Sequence, residues 1–301
     1  EGPGAAVAAP AVALEPREYG LGVSYIRLGD IVVEELVVLD DRQALLEEVT
    51  ALLADASVTP AAARVTPAPK AIIAPHAGYV YSGPVAASIY ARLAPLRGRI
   101  RRVVLVGPAH RVWFSGLALP AATAFASPLG AIDIDADAVA AIAGLPQVSV
   151  RADAHTDEHC LEVQLPFLQA VLGTFRLLPL LVGEATAAEV AEVLDTVWGG
   201  DETLVVISSD LSHYLDSTSA RAIDGETAHA IVALQPLRRH EQACGATPIN
   251  GLLELARRRH MTAEQVDLRN SGDTAGNRSQ VVGYGAFAFN ENAAPAGAVH
   301  A

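Results

Sequence analysis

"RRVVLVGPAH", Arg101–His110, reads as a buried strand that runs into a Gly-Pro turn and stops at a histidine. Its central run Val103–Val106 is apolar at every position, without the in/out alternation of a half-exposed strand, so it needs cover on both faces. Ala71–Ala74, Leu177–Val182 and Leu204–Ser208 repeat the pattern. Helical spacings fall near Gly83–Leu93, Asp157–Leu172, Ala187–Trp198 and Ser219–Leu234. Buried strands alternating with helices predict an α/β fold: one domain with a central, mostly parallel sheet flanked by helices.

Outward from that core the signals are more local. "DIVVEELVVLD" (Asp30–Asp40) is rich in β-branched residues and reads as one strand or a tight strand pair. A helical spacing follows through Ala56, then a Pro/Ala connector over Ser57–Lys70. Ser127–Asp135 reads as an irregular hairpin arm, and Val281–Phe289 as an edge or antiparallel strand. The predicted organisation is a flexible or irregular arm over 1–30, the domain over 31–290 and a tail over 291–301.

Composition narrows the class. In 301 residues, 51% hydrophobic and 18% charged, there is enough apolar surface for a sizeable core. The net charge of −13 argues against nucleic acid or an anionic membrane as partner, because no surplus of cations exists to displace counterions. Two cysteines, Cys160 and Cys244, make no disulfide framework, so a reducing, cytoplasmic location is expected. No apolar run suits a membrane span. The opening "EGPGAAVAAPAVALEPREYG" lacks a methionine and a basic segment and is not read as a signal peptide.

Three strands end in chemistry. "AIIAPHAGYVYSG" delivers His76, with Tyr79 just beyond it; "VVLVGPAH" delivers His110; "LVVISSDLSH" delivers Ser209, Asp210 and His213. In an open α/β sheet, ligands bind outside the carboxyl ends of the strands, so three such ends place these groups in one crevice. A lone histidine after a strand is ordinarily a hydrogen-bonded turn residue, and Ser208-Ser209-Asp210 has an ordinary use as a helix cap. The repetition is what favours a site. No Gly-x-Ser-x-Gly elbow occurs, so a serine hydrolase is a poor reading.

Cys244 lies in "ACGATPINGLL", just before a helix predicted to be capped by Thr247, opened by Pro248 and continued to about Arg259. A helix dipole favours a thiolate there, making Cys244 a nucleophile, a redox thiol or a soft metal ligand, against the plainer use of a small buried residue. In "AHTDEHCLEVQLPFL", His155 and His159 are spaced for a shared metal if one helix carries both; Asp157 as N-cap would leave His155 outside it. Asp157, Glu158 and His159 are then second-sphere or substrate-pocket groups, or simply first-turn carboxylates and their neighbour. His229, His240, His260 and His300 read as solvated.

Taken in order, "AIIAPHAGYVYSGPVAA", "VVLVGPAHRV", "DEHCLEVQLPFL", "PLLVG", "VVISSDLSHY", "ACGATPINGLL" and "VVGYGAFAF" resemble the Memo family. This is protein B of the AmmeMemoRadiSam system, with a eukaryotic branch linked to cell-motility signalling. The resemblance implies a fold similar to class III extradiol dioxygenases. It also implies metal ligation by His76, His110 and Cys244, with His213 as acid/base and Asp210 beside it. Substrate-pocket or second-sphere roles extend to Tyr79, Ser209, Asp157, Glu158 and His159. Fe(II) is the implied cofactor and copper the alternative; a thiolate in place of the dioxygenases' carboxylate favours softer metal. The partners implied are a small-molecule substrate, O2, and a radical-SAM protein and other members of the system.

The family's short N-terminal motif of histidine, glycine and aromatic residues is replaced here by "REYGLGVSYIRLGDIVVEELVVLDD". Two other function classes stand beside the oxidoreductase. One is a non-catalytic binding or signalling module that uses a vestigial pocket for a peptide or protein. The other is a thiol-dependent enzyme with Cys244 as nucleophile and His213 as base.

Overall fold

A computed structural model describes residues 25–28, 31–34, 41–57 and 68–291. The rest of the predicted arm, the Pro/Ala connector from 58 to 67, and His300 lie outside the described residues. In chain order the strands are β1 (Tyr25–Leu28), β2 (Ile31–Glu34), β3 (Ala71–Ala74), β4 (Arg102–Pro108), β5 (Leu117–Leu119), β6 (Ala124–Ser127) and β7 (Gly130–Asp133). They continue with β8 (Val148–Val150), β9 (Arg176–Val182), β10 (Thr203–Ser208), β11 (His213–Leu215), β12 (Thr262–Asn270) and β13 (Val281–Asn290). The helices are α1 (Arg42–Ser57), α2 (Tyr79–Tyr90), α3 (Ala136–Ile142), α4 (Ala152–Thr156) and α5 (Leu165–Leu172). After them come α6 (Ala187–Thr196), α7 (Ser217–Val232), α8 (Ala246–Arg258) and α9 (Ser271–Thr274).

One sheet organises the domain, in the order β11-β13-β3-β10-β4-β9-β5-β8, with β12 also paired to β13. Its centre, β3-β10-β4-β9, is parallel. These are the four strands expected from the sequence, and they are buried along nearly their whole length. Alternate residues feed two core layers. Val103 and Leu105 pack with Leu45 of α1, Ile89 of α2 and Phe167 of α5. Val104 and Val106 pack with Val190 and Leu194 of α6 and Ile249 and Leu252 of α8. Each such aliphatic side chain contributes about 1.5–3 kcal/mol when fully buried. This two-sided burial explains the runs without alternation.

The flanks depart from the expectations. β13 is antiparallel, but it is not an edge: it lies between β3 and β12. β12, "TAEQVDLRN", is too charged to read as a strand, and exists because β13 offers it a full antiparallel partner. β6 and β7 form the expected hairpin arm. β2 falls within Asp30–Asp40, but its partner is the upstream β1, inside the segment read as an arm. No helix among the described residues is long and apolar enough to cross a membrane.

The packing of α8 matters for the site because α8 starts two residues after Cys244. Gly251 lets α8 approach α6 closely: a Cβ there would stand 2.4 Å from Val190 Cγ1. Gly251→Ala should therefore cost about 1–3 kcal/mol by overpacking. Val190→Ala in the same chain should recover part of that loss, both read from urea unfolding midpoints at fixed slope.

Candidate metal centre

β3, β10 and β4 are neighbours and parallel, so their carboxyl ends open on one edge of the sheet. β3 passes through Pro75 to His76, β4 through Ala109 to His110, and β10 through Ser209 to Asp210. Cys244 arrives from the loop before α8 and lies over the end of β10, where the Asp210 backbone N–H donates to its Sγ at 3.3 Å. The Nε2/Nδ1 and Sγ atoms available on His76, His110 and Cys244 lie within 4.8 Å of one another.

Each member is held from behind. His76 is buried, with Nε2 3.3 Å from Cys244 Sγ and Nδ1 2.9 Å from Ser208 Oγ. Its backbone N–H donates to Asp210 Oδ1 at 2.8 Å, so the buried Asp210 carboxylate fixes the loop after β3. His110 turns Nδ1 to Glu158 Oε1 at 2.9 Å, and its backbone N–H donates to Glu158 Oε2 at 2.6 Å. That leaves His110 Nε2 for the pocket. Ser209 Oγ accepts the Gly245 N–H at 2.9 Å and lies 3.8 Å from Cys244 Sγ. A Cβ on Gly245 would stand 2.6 Å from Ser209 Cβ, so glycine is what lets the start of α8 settle on β10.

In the metal-free pocket the charges of the thiolate, the imidazoles and Glu158 are coupled. Burial opposes the Cys244 thiolate, but the charge of His76 and hydrogen bonds to His110 and His76 outweigh it and bring the thiol down to about 6. Burial likewise opposes the His110 cation; hydrogen bonds to Cys244 and Glu158 overcome it and push the imidazole up to about 10. Glu158 is held down at about 2 despite its burial, by the hydrogen bond and charge of His110. His76 is lowered chiefly by burial. Two imidazole nitrogens and a thiolate form a donor set for a first-row transition metal, and each has a partner behind it, as ligands of such sites do.

His159 joins the pocket by its ring, 5.5 Å from the His110 ring and 5.9 Å from that of His76. Burial lowers it to about 4, so it is neutral, and its buried Nδ1 has no hydrogen-bond partner in the pocket wall. With Glu158 and His110 it forms a second cluster of donor atoms. His155 instead uses Nε2 on the Ala118 carbonyl at 3.1 Å and lies away from the ligand cluster, against Phe125. The two histidines therefore do not share a metal: the chain leaves the α4 helix between them.

The remaining candidates separate. His213 is half-buried on β11, and its charge steadies Asp210, which burial raises. Tyr79 packs on Phe167 in the core, and its hydroxyl donates to the Val163 carbonyl at 2.7 Å. Asp157 is exposed just past α4, outside both donor clusters, and is not a helix N-cap. Residues 157–161 stay irregular because the Glu158 carboxylate accepts the N–H groups of His159 and Cys160, in competition with a helix. Gly245, not Thr247, caps α8. His229 and His260 are exposed. Ser208 was legible as a strand end or part of a helix cap, not as a partner of His76; a serine closing an otherwise apolar strand was the available signal.

A family model described as Memo-like protein matches residues 38–288. A MEMO1 family protein from Archaeoglobus fulgidus is 36% identical over 236 residues, covering 73% of this chain and 86% of that protein. One from Methanosarcina acetivorans is 38% identical over 229 residues, covering 71% and 84%. One from Aquifex aeolicus is 36% identical over 228 residues, covering 72% and 84%. A solved, uncharacterized protein of Escherichia coli K12 aligns with a TM-score of 0.43 at 16% identity, over 71% of this chain and 98% of that one, too weak a likeness to argue from.

Proposed function

This chain belongs to the family of Memo-like proteins, and from that premise we propose that its pocket is a working metal centre of an oxidoreductase, in the manner of the extradiol dioxygenases. The metal proposed is Fe(II), with copper as the alternative. The observation that carries this reading is the convergence of His76, His110 and Cys244 donor atoms within 4.8 Å. When bound, such an ion supplies coordination positions for O2 and for an oxygen of a small, phenolic substrate.

The chain's own residues supply the rest. Cys244, stabilised as thiolate by His76 and His110, balances part of the ion's charge. Glu158 holds the His110 ring in place and keeps its Nδ1 turned from the pocket. Neutral His159, its ring stacked beside that of His110, adds an uncharged wall to the pocket. His213 takes and returns the substrate proton, with the Asp210 charge facing it. A role beside a radical-SAM protein and other members of the AmmeMemoRadiSam system belongs to the same proposal.

Purification without air, followed by iron and copper analysis and O2 uptake on a panel of catechols and related phenols, tests it. Bound iron or copper with substrate-dependent O2 uptake is the expected result. Metal without O2 chemistry on any of them would replace the oxidoreductase with a binding module. For that module, exposed Trp113, on the loop after β4, and exposed Val80, in the first turn of α2, are the first contacts to alter. Inactivation by alkylating Cys244 in metal-free protein would instead favour the thiol enzyme.

A further inference from the structure

Behind His76 stands a row of polar side chains without solvent exposure: Ser208 and Gln164, and the phenol of Tyr90, all at 0%. Buried polar groups persist where they are fully hydrogen-bonded, so their directions can be assigned by donor accounting. Tyr90 O–H donates to Gln164 Oε1 at 2.7 Å. Gln164 Nε2 then donates to the Pro75 carbonyl at 2.9 Å and to Ser208 Oγ at 2.8 Å. Ser208 O–H donates to the Cys160 carbonyl at 2.6 Å.

Two backbone carbonyls fix the assignment. The Pro75 and Cys160 carbonyls can only accept, which fixes the amide nitrogen of Gln164 at one end and the single Ser208 proton at the other. The amide oxygen then faces Tyr90, whose O–H donates to it. Ser208 therefore has only a lone pair for His76 Nδ1, 2.9 Å away, so Nδ1 carries the hydrogen. Nothing else in this row could reverse it without leaving a buried carbonyl without its donor.

We propose that Ser208, Gln164 and Tyr90 are positioning residues that hold a hydrogen on His76 Nδ1, leaving Nε2, 3.3 Å from Cys244 Sγ, as the nitrogen that shares a proton with the thiol and gives it up to ligate. The consequence for metal affinity rests on the metal reading above; the lock itself is a property of the metal-free protein. It is made entirely of core residues from α2, β10 and the turn before α5, so the ligand's protonation site is set from the interior rather than by solvent.

Nitrogen NMR of 15N-histidine-labelled, metal-free protein at mildly alkaline pH reads the lock directly. His76 Nδ1 should carry a proton in the wild type and lose it, wholly or in part, in Ser208→Ala. Co(II) affinity, followed by its thiolate absorption, should fall about 10- to 100-fold in Ser208→Ala, the range for lost outer-sphere partners. Tyr90→Phe keeps the ring stacked on Phe167 and should move both readouts the same way by less. A bare Nδ1 in the wild type overturns the proposal, as does folded Ser208→Ala with wild-type tautomer and Co(II) affinity. If Ser208→Ala does not fold, the wild-type tautomer and Tyr90→Phe decide. Failure of the wild type to bind Co(II) would count against the metal centre, while the 15N signal still decides the lock.

Discussion

Cys244→Ser should leave the protein almost free of transition metal, and His110→Ala should do the same. Each removes one of three convergent donors. The loss should exceed the roughly 100-fold in affinity that removal of an outer-sphere partner causes. For Cys244 the reason is chemical rather than steric. Serine fits the space, but its hydroxyl is not deprotonated near neutral pH, whereas the thiol here is brought down to about 6 by His76 and His110. Cys160→Ser is the matching control. Cys160 is fully buried, its Sγ donates to the Pro108 carbonyl at 3.2 Å, and burial pushes its thiol far up, so a hydroxyl can take over its contact. Metal analysis after air-free purification should show two depleted variants and one close to wild type. Equal metal in all three would remove the centre from this pocket.

The second large effect concerns stability. Glu158→Gln should cost about 1–3 kcal/mol in urea unfolding near neutral pH, the range for leaving donors around a buried group unsatisfied, since Glu158 is buried while its partner His110 is exposed. The Glu158 side chain is 2% exposed and receives four donors: the His110 backbone N–H and Nδ1, and the N–H groups of His159 and Cys160. A carboxamide would turn its own N–H groups toward some of them. The pH dependence has a defined sign. Glu158 is lowered to about 2, so its contribution is present above the ordinary carboxylate range and fades as pH falls toward 2. His110 is raised to about 10, so its contribution is complete below the ordinary imidazole range and fades as pH rises through 10. Glu158 and His110 share one ion pair, so their contributions do not add, and Cys244 supplies the other part of the His110 shift. The gap between wild type and variant should be widest at mildly acidic pH and narrow toward both extremes. A gap that does not change with pH would mean the pair is not charged.

The parallel centre of the sheet was legible because two-sided burial writes itself as unbroken apolar runs, and the residues just beyond those runs had to lie at one edge. Cys244 was legible as a cysteine before a helix. β12 was not, because its charges sit on a strand whose existence depends on β13 rather than on local propensity. The stretch 157–161 was misread as helix because Glu158 turns back onto its own backbone, a competition that spacing does not reveal. Ser208 and Gln164 carry no periodic signal; they are polar residues in apolar surroundings, and only the paired carbonyls explain them.

The strand order has a consequence for how the centre comes into being. His76 and Cys244 are separated by 168 positions, and His76 and Ser208 by 132. Contacts of such separation form late, after most of the loop-closure entropy has been met by pairing β3 with β10. The apo chain must therefore complete its sheet unaided before three donors exist to capture an ion. An ion held by His76 and Cys244 would close a loop longer than half the chain. Such a tie would belong to the completed native state, since its donors meet only there. It would act mainly on the rate of unfolding, as a brake on loss of the fold more than a template for reaching it.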